Sequence, residues 1–181
     1  MTKYDESIIL ERLKEPSTRR RAFEELVNHY SRTLYWQIRH IVVDHDDTDD
    51  VLQNTFLKAW NNIDSFRGDA KITTWLYKIA YNESITFLKQ KREILSIDGE
   101  EGGVAASLES DEYFDGDETQ ILLQQAIDSL PNKQKAVFTM KYYDEMKYEE
   151  MSEITGTSVG ALKASYHLAV EKITNFFHSR E

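Results

Sequence analysis

Phe23, Leu26, Val27, Tyr30, Leu34, Ile38 and Ile41 recur three or four residues apart. That spacing predicts a long helix from about Thr18 with one apolar face turned to a core. A shorter helix over Ser7–Glu15 precedes it, with Ile8, Ile9 and Leu13 apolar and Pro16 ending it or starting the next turn. Leu52, Phe56, Ala59, Trp60 and Ile63 share the face of a third helix. Thr48 suits its N-cap, and Asp49 and Asp50 suit a first turn where the helix dipole favours anions. Gly68 breaks the pattern. A fourth helix starts near Thr73 or Thr74, buries Trp75, Leu76, Ile79, Ala80, Phe87 and Leu88, and closes on Lys89, Lys91 and Arg92. From Glu93 to Glu118 no apolar period is sustained. From Thr119 the period returns in Ile121, Leu122, Ala126, Ile127 and Leu130, and Pro131 punctuates it. Further helices are expected over Gln134–Tyr143, around Val137, Phe138 and Met140, and over Tyr148–Ile154. Ser158 is expected to cap a last one reaching about Phe177, with Leu162, Tyr166, Ala169, Val170 and Ile173 inward. The expected fold is all-α: two small helical domains, residues 1–92 and 119–181, joined by a flexible acidic linker, residues 93–118.

Seven Gly and two Pro in 181 residues argue against a loop-rich β fold, and the absence of Cys excludes disulfides and thiolate metal sites. The N-terminus, MTKYDESIILERLKE, is too charged for a signal peptide, and no apolar run has the length of a membrane span. The cytoplasm is the expected location. A net charge of −10 counts against a free-standing nucleic-acid binder. Its distribution reverses that reading. Glu93–Glu118 holds ten acids and no Lys or Arg, so the rest of the chain is neutral. Lys58–Arg92 holds seven bases (Lys58, Arg67, Lys71, Lys78, Lys89, Lys91, Arg92) against three acids. Asp44, Asp46 and Thr48 alternate like calcium ligands, but Asp49 stands where the loop needs Gly and Thr55 where it needs Glu. An acidic, helix-capping turn is the better reading. His29, His40 and His45 lack ligand spacing and read as surface or interface residues. No catalytic arrangement, metal site or cofactor motif is found.

Two stretches carry the function. YEEMSEITGTSVGALKASYHLAVEKI has helix-turn-helix form: a short helix, a Gly able to take positive φ, and a longer helix, with Ser152 small at the approach and Leu162 packing back. The run before it, SLPNKQKAVFTMKYYDEM, completes a pattern that resembles region 4 of the extracytoplasmic function (ECF) sigma factors, over roughly Asp128–Lys172. DDVLQNTFLKAW, NIDSFRGDAKIT and TWLYKIAYNESITFLKQKR resemble region 2 of the sigma-70 family, over roughly Phe23–Arg92. The resemblance implies a non-enzymatic initiation factor that directs core RNA polymerase to promoters. Region 2 would grip the polymerase and read the −10 element, and region 4 would read the −35 element.

Carried over by position, Asp50, Gln53, Asn54 and Lys58 would contact the clamp of the polymerase β′ subunit, with Phe56 and Trp60 structural. The family pattern usually has an acid where this chain has Asn54. Asn62, Ser65 and Phe66 would form a pocket for a flipped −10 base, and Lys71, Lys78, Tyr81 and Asn82 would face the same strand. Thr157, Ser158, Lys163, Ala164, Ser165, His167 and Leu168 would meet −35 DNA. Ser165 and Leu168 depart from the Arg usual on that face, and neither can read guanine bidentately as Arg does. The implied partners are core polymerase (β′ clamp and β flap), promoter DNA and an anti-sigma factor, often membrane-anchored. In the family the linker enters the path that RNA follows, so residues 93–118 read as an RNA mimic inside polymerase. A regulator of another helix-turn-helix class is the alternative; it leaves Asp49–Arg92 without a task. An enzyme is a distant third.

Overall fold

The computed structural model describes residues 3–98 and 116–180, and in them it contains eight α-helices and no strand. Helix α1 (Glu6–Lys14) is capped by Asp5, whose side chain accepts from the Ile8 amide. Pro16 occupies the first turn of α2 (Pro16–Val42), where its missing N–H costs nothing. Helix α2 ends at Val43, held at φ 77° with its amide donating to the Arg39 carbonyl. Asp44 then caps α3 (His45–Asn61) by accepting from the Asp47 amide. The expected cap, Thr48, lies instead inside α3, fully buried, its hydroxyl donating to the Asp44 carbonyl. Asp46 and Asp47, rather than Asp49 and Asp50, occupy the first turn. A short 3-10 turn, Ile63–Ser65, leads to α4 (Ile72–Asp98).

Helix α4 runs six residues past Arg92, into the expected linker. Lys91 explains part of this: its ammonium reaches back to Asp47 on α3 and ties the late turns down. Residues 99–115 of that linker lie outside the described residues, and its last two, Asp117 and Glu118, already belong to the start of the next helix.

Asp117 caps α5 (Glu118–Asp128) by accepting from the Gln120 amide. Helices α6 (Asn132–Tyr142) and α7 (Tyr148–Thr155) follow, and Ser158 caps α8 (Val159–His178). Gly156 supplies the turn between α7 and α8 at φ 71°, in the left-handed region that a side chain disfavours.

Three apolar clusters hold the chain together. The first unites α1 to α4 around Leu26, Leu34, Ile38, Ile72 and Leu76, all fully buried. The last unites α5, α6 and α8 around Ile127, Leu130, Phe138 and Ala169. The middle cluster joins the two halves: Ile41 of α2 and Tyr81 of α4 lie among Val137, Met140, Met146, Met151 and Ile154. The halves are therefore docked on one another, through α2 with α6 and α4 with α7. Full burial of one such aliphatic side chain is worth about 1.5–3 kcal/mol.

Candidate functional site

Three surfaces stand out. The first is an open groove of about 590 Å³ between α2 and α3. Phe23, Val27, Phe56, Leu57 and Trp60 make it apolar, with Gln53 at its edge. Phe23 stands edge-on to both Phe56 and Trp60, at 6.5 and 5.0 Å between ring centroids. These contacts fix the Trp60 ring, yet 37% of Trp60 and 54% of Leu57 remain exposed. Two large apolar side chains one turn apart are thus left open by the described residues, the kind of patch from which interaction surfaces are made.

Phe56, 9% exposed, packs in the core as expected while also lining the groove; Trp60, packed on Phe23 yet 37% exposed, is the more open of the two. Leu57 lies off the core-facing stripe, so the core pattern does not single it out. Its signal was there: Gln53, Leu57 and Trp60 lie four and three residues apart, so they form one edge of α3. Asp50, Gln53 and Asn54 are exposed on this helix. Lys58 is exposed too, but its ammonium is engaged with Glu83 of α4.

The second surface is the loop after α3. Arg19 of α2 anchors it, pairing with Asp64 at 2.8 Å while donating to the Leu13 carbonyl. A cavity of about 270 Å³ opens beside it, lined by Lys14, Arg19, Ile63, Phe66 and Arg67 among others. Phe66 packs on Trp75, ring centroids 5.4 Å apart. Asn62 and Ser65 are not in this lining. Asn62 donates to the Lys58 carbonyl and Ser65 to the Asn62 carbonyl, so both side chains serve the loop's own shape. Lys71, Lys78 and Asn82 are exposed nearby. Tyr81 is not: at 8% exposure it lies in the cluster shared with the second half. Burial pushes its phenol pKa up. In this docked arrangement the side chain is closed to any strand running over Lys78 and Asn82.

The third surface is α8. Helix α8 packs on α5, α6 and α7, leaving Lys163, Ala164 and His167 exposed, Ser165 half-buried and Leu168 46% exposed. The Ser158 hydroxyl accepts from the Ala161 amide, and the Thr157 amide donates to the Thr155 hydroxyl. Those two residues thus hold the turn as well as offering a helix N-terminus. The ammonium groups of Lys141 and Lys163 lie 4.6 and 5.7 Å from the Tyr148 ring centroid, which gathers two bases beside the turn. Among the described residues no group of acids and histidines is arranged to hold a metal ion, and no helix is long and apolar enough to cross a membrane.

The sigma-70 region 2 family model matches residues 26–94, and the sigma-70 region 4 model matches residues 120–173. The ECF RNA polymerase sigma factor SigW of Bacillus subtilis is 30% identical over 162 residues, spanning 84% of this chain and 87% of its own. The ECF RNA polymerase sigma-E factor of Escherichia coli is 30% identical over 180 residues, 94% of this chain and 93% of its own. Two solved structures share the fold at a TM-score of 0.68. One is the sigma factor RpoE in complex with the anti-sigma factor NepR from Bartonella quintana, 22% identical, covering 86% of this chain and 96% of that one. The other is CnrH in complex with the cytosolic domain of CnrY, 20% identical, covering 97% and 99%.

Proposed function

The chain belongs to the extracytoplasmic function group of sigma-70 RNA polymerase sigma factors, and from that membership we propose how its surfaces divide the work of promoter-specific initiation. Residues 1–92 grip core polymerase and read the −10 element; residues 119–181 read the −35 element. The groove carrying Leu57 and Trp60 receives the β′ clamp, with Asp50, Gln53 and Asn54 on its polar margin. This groove is the observation that carries the reading, because a helix-turn-helix regulator acting alone has no use for it. Gel filtration with core polymerase tests it: co-elution supports the sigma reading, and separate peaks support the lone regulator.

The cavity beside Phe66, Arg67 and Gly68 suits a base extruded from the −10 strand, with Lys14 and Arg19 near enough to meet its phosphates. Lys71, Lys78 and Asn82 continue the track. Tyr81 joins it only when the second half moves away. The protein acts in the cytoplasm, without catalysis of its own, and an anti-sigma factor competes for the exposed surfaces.

On α8, Lys163 contacts phosphate beside the −35 bases. Lys163→Ala is expected to weaken −35 binding and to lower the salt slope by about one, with the fold intact. Unchanged protection and salt dependence in footprinting would remove the helix from that role.

The ten acids of residues 93–118 give a test that depends on charge alone. Replacing them with Asn and Gln is expected to weaken holoenzyme formation most at low salt and to change the yield of abortive transcripts. A neutral segment that matches the native one in both assays would reduce it to a tether.

A further inference from the structure

Where the two halves meet, a cavity of about 260 Å³ lies between α2, α4 and the turn joining α6 to α7. Thr33, Gln37, Tyr77, Asp144, Glu145 and Glu150 line it. Gln37 is only 2% exposed, yet neither its amide nitrogen nor its amide oxygen has a hydrogen-bond partner. Asp144 Oδ2 is likewise buried without one. Leaving a buried amide or carboxylate unsatisfied is destabilising, more so for the charged group. These atoms converge on one space, where a polar ligand would satisfy them together.

The lining defines the occupant's chemistry. Three carboxylates face the cavity, and no Lys or Arg lines it. Of the bases nearby, Lys141 donates to the Met146 carbonyl at 3.1 Å, while His40, its ring stacked on Tyr143, holds Nδ1 buried and 3.4 Å from Asp144 Oδ1 without a hydrogen bond. The Tyr77 phenol is pushed up to about 12, first by burial and then by the fields of Asp144 and Glu150. The carboxylates are not arranged to close around a metal ion. Gln37 adds an acceptor oxygen and a donor nitrogen, which suit a ligand with several spread N–H groups rather than a point charge.

We propose that this interdomain cavity binds an organic cation carrying several N–H groups, a guanidinium or primary ammonium, which bridges Gln37 of the first half and Asp144 and Glu150 of the second. The site exists only while the halves are docked, so its ligand favours the docked state by mass action.

The test is thermal unfolding of the full chain at fixed ionic strength with ethylguanidinium, with putrescine, and with a blocked Gly-Arg-Gly tripeptide. Tetramethylammonium, which has no N–H, is the control. At a hundredfold excess over its Kd a bound probe is expected to raise the melting temperature by about 5–11 °C. Gln37→Leu is expected to melt higher than the parent without ligand, because it removes the orphaned amide, and to lose the ligand shift. Glu150→Gln, which keeps the size of the side chain, is expected to weaken binding at least tenfold. A response to the small cations but not the tripeptide assigns a free ligand; a response to the tripeptide assigns a basic side chain of a protein partner. No shift beyond the tetramethylammonium control, or a full shift retained in both variants, would overturn the proposal. Reduced −10 strand binding on ligand addition is a further consequence that rests on the promoter-reading role above; the melting result does not.

Discussion

Leu57→Glu is expected to lower affinity for core RNA polymerase about 30-fold or more while leaving the melting temperature within a few degrees of the parent. The asymmetry follows from where the side chain sits. Leu57 is 54% exposed, so the folded chain gains little from it. In a complex it would lie beside Trp60 at the centre of an apolar groove, where removal of an anchoring side chain typically costs at least about 2 kcal/mol. A carboxylate there must also be desolvated, which adds to the loss. Trp60→Ala is expected to act in the same direction, with some loss of stability because its ring packs on Phe23. Reversal of Asp50, on the polar margin, should cost less and grow weaker with salt. Equal affinity of the Leu57 variant and the parent for core polymerase would move the docking site elsewhere.

Ile41→Glu is expected to part the two halves. Ile41 is 1% exposed, and its buried neighbours are those of the shared cluster rather than of the first core. An unpaired carboxylate in that cluster costs several kcal/mol, against the few side chains that the first half contributes to the contact. The expected result is a larger radius of gyration by small-angle scattering, with helix content preserved. Single-stranded −10 DNA should then bind more tightly, since Tyr81 is freed beside Lys78 and Asn82. Recognition by α8 should change little, because among the described residues that helix packs mainly on α5, α6 and α7 of its own half. An unchanged radius would mean the halves are held by something other than the shared cluster.

The helices were legible because each carries a full apolar stripe and chemically plain ends. Gly156 and Ser158 announce the turn and cap of the helix-turn-helix, and both take those roles. Asp44 and Thr48, four residues apart, are both good capping residues, so the sequence leaves the start of α3 ambiguous; the fold uses the aspartate outside and buries the threonine. The end of α4 lies past the point its local pattern predicts, because an acidic run reads as solvated chain while one long-range pair, Lys91 with Asp47, is invisible in local composition.

The site was legible in part. Exposed polar positions on α3 and α8 could be placed by period alone. Tyr81 could not, since a tyrosine on a basic face looks the same whether it awaits a base or a methionine from another domain. Leu57 was lost for the converse reason: an apolar residue off the stripe looks like one of the many scattered on any surface. Docking of the halves depends on Ile41, Tyr81, Met140 and Met151 meeting across the acidic segment, and no local pattern records that meeting.

This chain gives core RNA polymerase its choice of promoter. Run-off transcription from a genomic promoter library tests it most directly. Core polymerase with this protein should produce transcripts from a discrete set of start sites sharing −10 and −35 sequences, absent with core alone and lost with Leu57→Glu. Transcription no different from core polymerase alone, with the protein folded and present in excess, would contradict it.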